Sequence, residues 1–115
     1  MSYNVIAGST IQFYTSVPFT ALSGAVVNPD KVNFSYSIQG QTEQTFTWVN
    51  PTGDPTNTIK QGAGGVGYFY ANISTVGQPG TWNWQWYGYP SSGTDTTATQ
   101  VAAQGTVVVL SLIHI

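Results

Sequence analysis

Side chains able to do acid–base, nucleophilic or metal chemistry are scarce in these 115 residues. The sole histidine is His114, and there is no cysteine. The acids are Asp30, Glu43, Asp54 and Asp95, the bases are Lys31 and Lys60, and arginine is absent. General acid–base catalysis needs titratable groups held side by side, and four lone acids supply no such pair. Zinc–thiolate chemistry and a disulfide framework are excluded without cysteine. Asp30, Asp54 and Asp95 lack the dense alternation of a calcium loop, so each is expected to cap a turn. His114 has no carboxylate near it in sequence. The expectation is therefore a chain with no catalytic residue, no cofactor and no metal site.

Two further motifs invite a chemical reading. Gly62-Ala63-Gly64-Gly65-Val66-Gly67 fits the pattern G-x-G-x-x-G, which cradles a dinucleotide only between a strand and a helix. Here the strand-like Tyr68-Phe69-Tyr70-Ala71-Asn72-Ile73 follows it. No helix N-terminus would face a phosphate, so a flexible loop is expected. Trp82, Trp84 and Trp86 are spaced to share one face of a strand. Such a row is either a stacking platform for sugars or the core layer of a sandwich. Period-two patterning usually reports burial, which favours the core. Tyr87 and Tyr89, beside Pro90, are the better candidates for an exposed partner contact.

The elements that would position these residues are strands. Ile11, Phe13 and Thr15 alternate with polar neighbours, as do Val32, Phe34, Tyr36 and Ile38. Phe46 and Trp48, Tyr68 and Tyr70, the tryptophan row and the β-branched run Thr106 to Leu110 continue the signal. Turn chemistry separates the runs at Asn28-Pro29-Asp30, Asn50-Pro51-Thr52-Gly53-Asp54-Pro55, Gln78-Pro79-Gly80 and Pro90-Ser91-Ser92-Gly93. No window has helical spacing with a cap. Residues 94–104, rich in Thr, Ala and Gln, read as either a strand or a loop. The pattern predicts an all-β domain of about seven short strands, a sandwich or a barrel. The expected core is Phe34, Tyr36, Trp48, Tyr68, Trp82, Trp84 and Trp86.

Composition bounds the partners. Charged residues are 5% of the chain, against roughly 25% in an average globular protein. Two lysines cannot form the basic stripe that nucleic acid requires. No run approaches the ~20 apolar residues of a membrane span. Net charge is −2, so steering of charged partners is weak. Strands coated with Ser, Thr, Asn and Gln also lack the charged gatekeepers that deter edge pairing, and low net charge favours association.

One ordered set of motifs goes beyond generic strand pattern. Gly8-Ser9-Thr10-Ile11-Gln12-Phe13 comes first, then Gly24-Ala25-Val26-Val27-Asn28-Pro29-Asp30-Lys31-Val32-Asn33-Phe34. Gly67-Tyr68-Phe69-Tyr70-Ala71, Gly77-Gln78-Pro79-Gly80-Thr81-Trp82, Trp84-Gln85-Trp86 and Gly105-Thr106-Val107-Val108-Val109 follow. This order resembles small immunoglobulin-like domains encoded among the structural genes of tailed phages. Gln85 stands where that family often has an arginine, and its members usually carry more surface charge. The resemblance implies an antiparallel immunoglobulin-like β-sandwich, a single domain over residues 1–109. It also implies a tyrosine corner at Gly67-Tyr68, in which the phenol ties a loop to the backbone.

The function so implied is that of a non-enzymatic structural or decoration protein of a tailed bacteriophage. Its partners would be other virion proteins, capsid or neck and tail subunits, in a homo-oligomer or a lattice. The chain begins without a secretory signal pattern, so assembly in the host cytoplasm and residence in the virion are expected. The alternative is a carbohydrate-binding or adhesin-type module with a glycan partner. Residues 110–115 break the pattern and match one reading frame of a common sequencing-library adapter. They are either a genuine final strand or a non-native tail on a metagenomic reading frame.

Overall fold

Wherever apolar residues recur at every second position, the chain extends and pairs. The computed structural model describes residues 2–20, 25–50, 52–89 and 100–111. Eight strands form: β1 (Ser2–Ile6), β2 (Thr10–Tyr14), β3 (Lys31–Ile38), β4 (Gln44–Val49), β5 (Ile59–Gln61), β6 (Phe69–Ser74), β7 (Gly80–Tyr89) and β8 (Gln100–Leu110). No helix occurs among the described residues. The strands make two sheets, a five-stranded one ordered β1-β8-β7-β3-β4 and a three-stranded one ordered β2-β6-β5.

Two points correct the sequence expectation. The described residues hold eight strands where about seven were expected, because β5 spans only three residues and β1 lacks the clean apolar–polar alternation of β2. Nor is the pairing wholly antiparallel. β1 runs parallel to β8, with Val5 opposite Val109, while every other neighbouring pair is antiparallel. Residues 100–104 of the ambiguous segment begin β8. Its remainder, together with the turn at 90–93, Asp95, His114 and the rest of 112–115, lies outside the described residues.

The core fills the space between the sheets. Phe13 of β2 meets Phe34 of β3 at 5.1 Å and Trp82 of β7 at 6.3 Å between ring centroids. Trp48 of β4 meets Phe69 of β6 edge-on at 4.8 Å. Tyr36 lies parallel to Trp82 at 4.6 Å. These contacts weld both layers into one aromatic core, where large rings contribute most of the buried area. A bulge interrupts β7 and β8. Trp86 faces Ala103 while Tyr87 faces Val101, which leaves Ala102 as the extra, buried residue.

Candidate functional site

The tryptophan row points inward. Trp82 and Trp86 are 0% exposed. Trp84 between them is only partly buried, because Gly105 faces it across the ladder and Ala103 lies one pair along. Phe34 is also fully buried, and Tyr36 and Trp48 pack against the cluster. The row is thus a core layer and not a stacking platform.

Tyr68 lies outside that core. The expected phase of β6 put Tyr68 and Tyr70 inside, yet Phe69, Ala71 and Ile73 are the buried residues. Shifting the phase by one residue turns every side chain to the other face. Nor is Tyr68 a tyrosine corner, since its hydroxyl makes no hydrogen bond among the described residues. The glycine-rich loop beside it spends its amides internally. Gly62 N–H donates to the Tyr68 carbonyl at 2.7 Å, Gly65 N–H to the Gly62 carbonyl at 3.0 Å, and Gly67 N–H to Asn28 Oδ1 at 2.8 Å. Gln61 Nε2 donates to the carbonyls of Gly65 and Tyr68. These bonds clip the loop in place, and a strand, β6, follows it where the dinucleotide pattern needs a helix.

Tyr87 and Tyr89 stand on the outer face of the five-stranded sheet, where alternation and register assemble a continuous patch of side chains. Tyr89 is paired with Lys31, and Lys31 with Val49 on the β4 edge. Tyr87 is paired with Asn33, Asn33 with Thr47, and on its other side Tyr87 faces Val101. The two phenol rings meet edge to face at 6.4 Å, and the Lys31 ammonium sits 5.3 Å from the centre of the Tyr89 ring. Val49 and Val101 flank them, 39% and 49% exposed.

Asn33 organises this end of the sheet. It is 7% exposed although it faces outward. Its Oδ1 accepts from Thr47 Oγ1 at 2.8 Å, and its side chain also bonds Tyr87. Further along, Gln85 Nε2 donates to Gln104 Oε1 at 3.3 Å and Thr106 Oγ1 to Asn83 Oδ1 at 3.0 Å. Ser35, Ser37 and these amides line a shallow polar depression, with Glu43 at its rim. Burial pushes the Tyr87 phenol above its ordinary range. The Asn33 hydrogen bond pulls it down, and the Tyr89 and Glu43 charges add to the rise.

Of the three aspartates expected to cap turns, Asp54 does so; the Asp30 carboxylate makes no hydrogen bond among the described residues, and Asp95 lies outside them. Asp54 Oδ1 accepts from Thr56 N–H at 2.8 Å and Thr56 Oγ1 at 2.7 Å, and its Oδ2 from the N–H groups of Thr58 and Ile59 at 3.1 and 2.9 Å. That cluster launches β5. Among the described residues no three His, Asp or Glu side chains gather as a metal site. Sequence reasoning located Tyr87 and Tyr89 but missed Lys31, Asn33, Val49 and Val101. Their membership depends on cross-strand register, which has no local signal. No protein-family model matches the chain, and no curated protein matches it.

Proposed function

We propose that this chain is a non-enzymatic structural or decorating subunit of a tailed-phage particle, an immunoglobulin-like module attached through the outer face of its five-stranded sheet and the adjoining β4 edge. The carrying observation is the near absence of charge on that surface. Of the chain's charged residues only Lys31 and Lys60 stand in the described strands, and Lys31 already covers a tyrosine ring. β4 is an edge strand without a charged residue; Gly53 pairs with its Val49 end, and among the described residues no strand pairs with the rest of that edge, so its backbone can pair with a neighbour. Tyr87, Tyr89, Val49 and Val101 supply apolar area beside it.

The immunoglobulin-like part of the reading is supported by strand order. β2-β6-β5 with β8-β7-β3 follows the strand order of immunoglobulin sheets, with one strand, β4, added beyond β3 where the variable type adds two, and β1 parallel to β8. The phage part is supported by the ordered glycine, Asn-Pro-Asp and tryptophan motifs.

Attachment of this kind draws on buried aromatic area and backbone pairing, so it resists screening by salt. The test is electron microscopy of particles from the source sample, labelled with antibody to this chain, and sedimentation of the purified chain at low and high ionic strength. Labelled tailed particles and salt-independent self-association support the reading. A strict monomer at high concentration, with no label on particles, refutes it.

A further inference from the structure

The three-stranded sheet carries a second surface of different character. Its outward side chains put Tyr14 directly opposite Tyr70, and Gln12 opposite Asn72. Tyr68 stands at the start of β6, against the glycine-rich turn. Gln12, Tyr14, Tyr68 and Tyr70, with the turn backbone at Gly62 and Gly64, line a groove of about 430 Å³. That volume lies in the range of small-molecule sites.

Three observations identify what fits. First, the rings are displayed without being needed by the core. Tyr14 is 59% exposed, and none of the three tyrosines belongs to the core cluster. Their hydroxyls make no hydrogen bond among the described residues, so they remain available to a ligand. Second, one ring is held in place by its surroundings. A Cβ at Gly64 would stand 2.7 Å from Tyr68 Cδ2, and one at Gly62 would stand 3.1 Å from Tyr68 Cβ. The Tyr68 side chain therefore packs against the turn where Gly62 and Gly64 present bare backbone, and the Gln61 bonds to the Gly65 and Tyr68 carbonyls fix that turn. Such preorganisation lowers the ordering cost of binding. Third, no acid or base lines the groove; the exposed Lys60, cross-strand partner of Tyr70 on β5, shares its face at the margin. The lining itself offers an ionic ligand polar but uncharged groups, so burying a charge there is costly.

Aromatic faces beside amide and phenol hydrogen-bonding groups match one chemistry. A pyranose offers a flat C–H face to a ring and hydroxyls around its rim. We propose that the groove formed by Tyr14, Tyr68, Tyr70 and Gln12 binds an uncharged oligosaccharide. This site lies on the sheet opposite the attachment face and does not depend on the particle role.

The test is NMR titration of the intact chain with neutral oligosaccharides, namely glucose, galactose and N-acetylglucosamine oligomers, beside a sialylated one. At least one neutral oligomer should shift the Gln12, Tyr14, Tyr68 and Tyr70 resonances, with a dissociation constant of roughly millimolar order. Tyr14→Ala removes an exposed ring, keeps the fold and should weaken binding by about tenfold. Gly64→Ala should displace the Tyr68 ring and weaken binding similarly, while Tyr87→Ala on the far sheet should leave it unchanged. Absence of any neutral ligand at tens-of-millimolar concentration, a preference for the sialylated oligomer, or binding indifferent to both groove variants would overturn the proposal.

Discussion

The indole nitrogen of Trp82 donates to the main-chain carbonyl of Gln78 at 2.9 Å, anchoring the turn that precedes β7 to the core. The indole nitrogen of Trp86 is buried with no partner among the described residues. These two fully buried tryptophans on one strand should respond differently to the same substitution. Trp82→Phe opens a void and breaks the bond, at a cost of about 2–4 kcal/mol. Trp86→Phe opens a similar void but removes an unsatisfied donor whose burial itself costs about 1–3 kcal/mol. The loss at Trp86 should thus be smaller by about 1 kcal/mol or more, read from urea midpoints at unchanged m value. Equal losses would mean that the indole hydrogen bonds carry no weight.

Asp54 should set an acid limb on stability. Burial alone would raise its pKa. The hydrogen bonds from Ile59, Thr56 and Thr58 outweigh that and hold the carboxyl below its ordinary value. The folded state then binds this proton less readily than the unfolded chain. Its contribution is complete above the ordinary aspartate value of about 3.9 and disappears as pH falls through the lower folded value. Asp54→Asn should be less stable than the parent at neutral pH and lose less on acidification across that window. Parallel stability–pH curves for the two proteins would contradict the assignment.

Tyr36 and Tyr87 should titrate late. Burial raises the phenol of Tyr36, and burial is also the main cause at Tyr87. A raised phenol favours folding below the ordinary value of about 10 and surrenders that advantage as pH rises through the folded value. Phenolate absorbance followed through alkaline titration should show a late component. Tyr36→Phe and Tyr87→Phe should each remove part of it. A late component unchanged in both variants would assign it elsewhere.

Legibility in the sequence followed contrast between neighbours. β3 alternates large apolar residues with Asn and Ser, and its inward face of Val32, Phe34, Tyr36 and Ile38 could be read directly. β7 alternates Trp with Asn and Gln, so its direction was equally plain. β6 offers Tyr68, Phe69, Tyr70 and Ala71 in succession. With no polar residue in that run its phase is carried only by Asn72 and Ser74 further along β6, opposite in face to Ala71 and Ile73, and Phe69 follows it by packing against Trp48 and Phe19. The tyrosine groove on the outer face was hidden for that reason. The outer-face patch proposed for attachment was legible only at Tyr87 and Tyr89, because its other members join through pairing between strands far apart in sequence.

Thr75 clasps the crossover between the sheets. It is fully buried just beyond β6, where its Oγ1 accepts from Gly8 N–H at 3.0 Å and donates to the Ser9 carbonyl at 2.5 Å. Its own N–H donates to that same carbonyl at 3.0 Å. Gly8 and Ser9 carry the chain from β1 in the five-stranded sheet to β2 in the three-stranded one. Thr75→Val keeps the shape but strands the Gly8 amide, which should cost about 1–3 kcal/mol. Thr75→Ser keeps the oxygen, gives up one methyl and should lose less. The distinguishing readout is hydrogen exchange at Gly8, faster in the valine variant and close to parental in the serine variant. If valine left both stability and Gly8 exchange unchanged, the junction would be held by the main-chain bond from Thr75 to Ser9 alone.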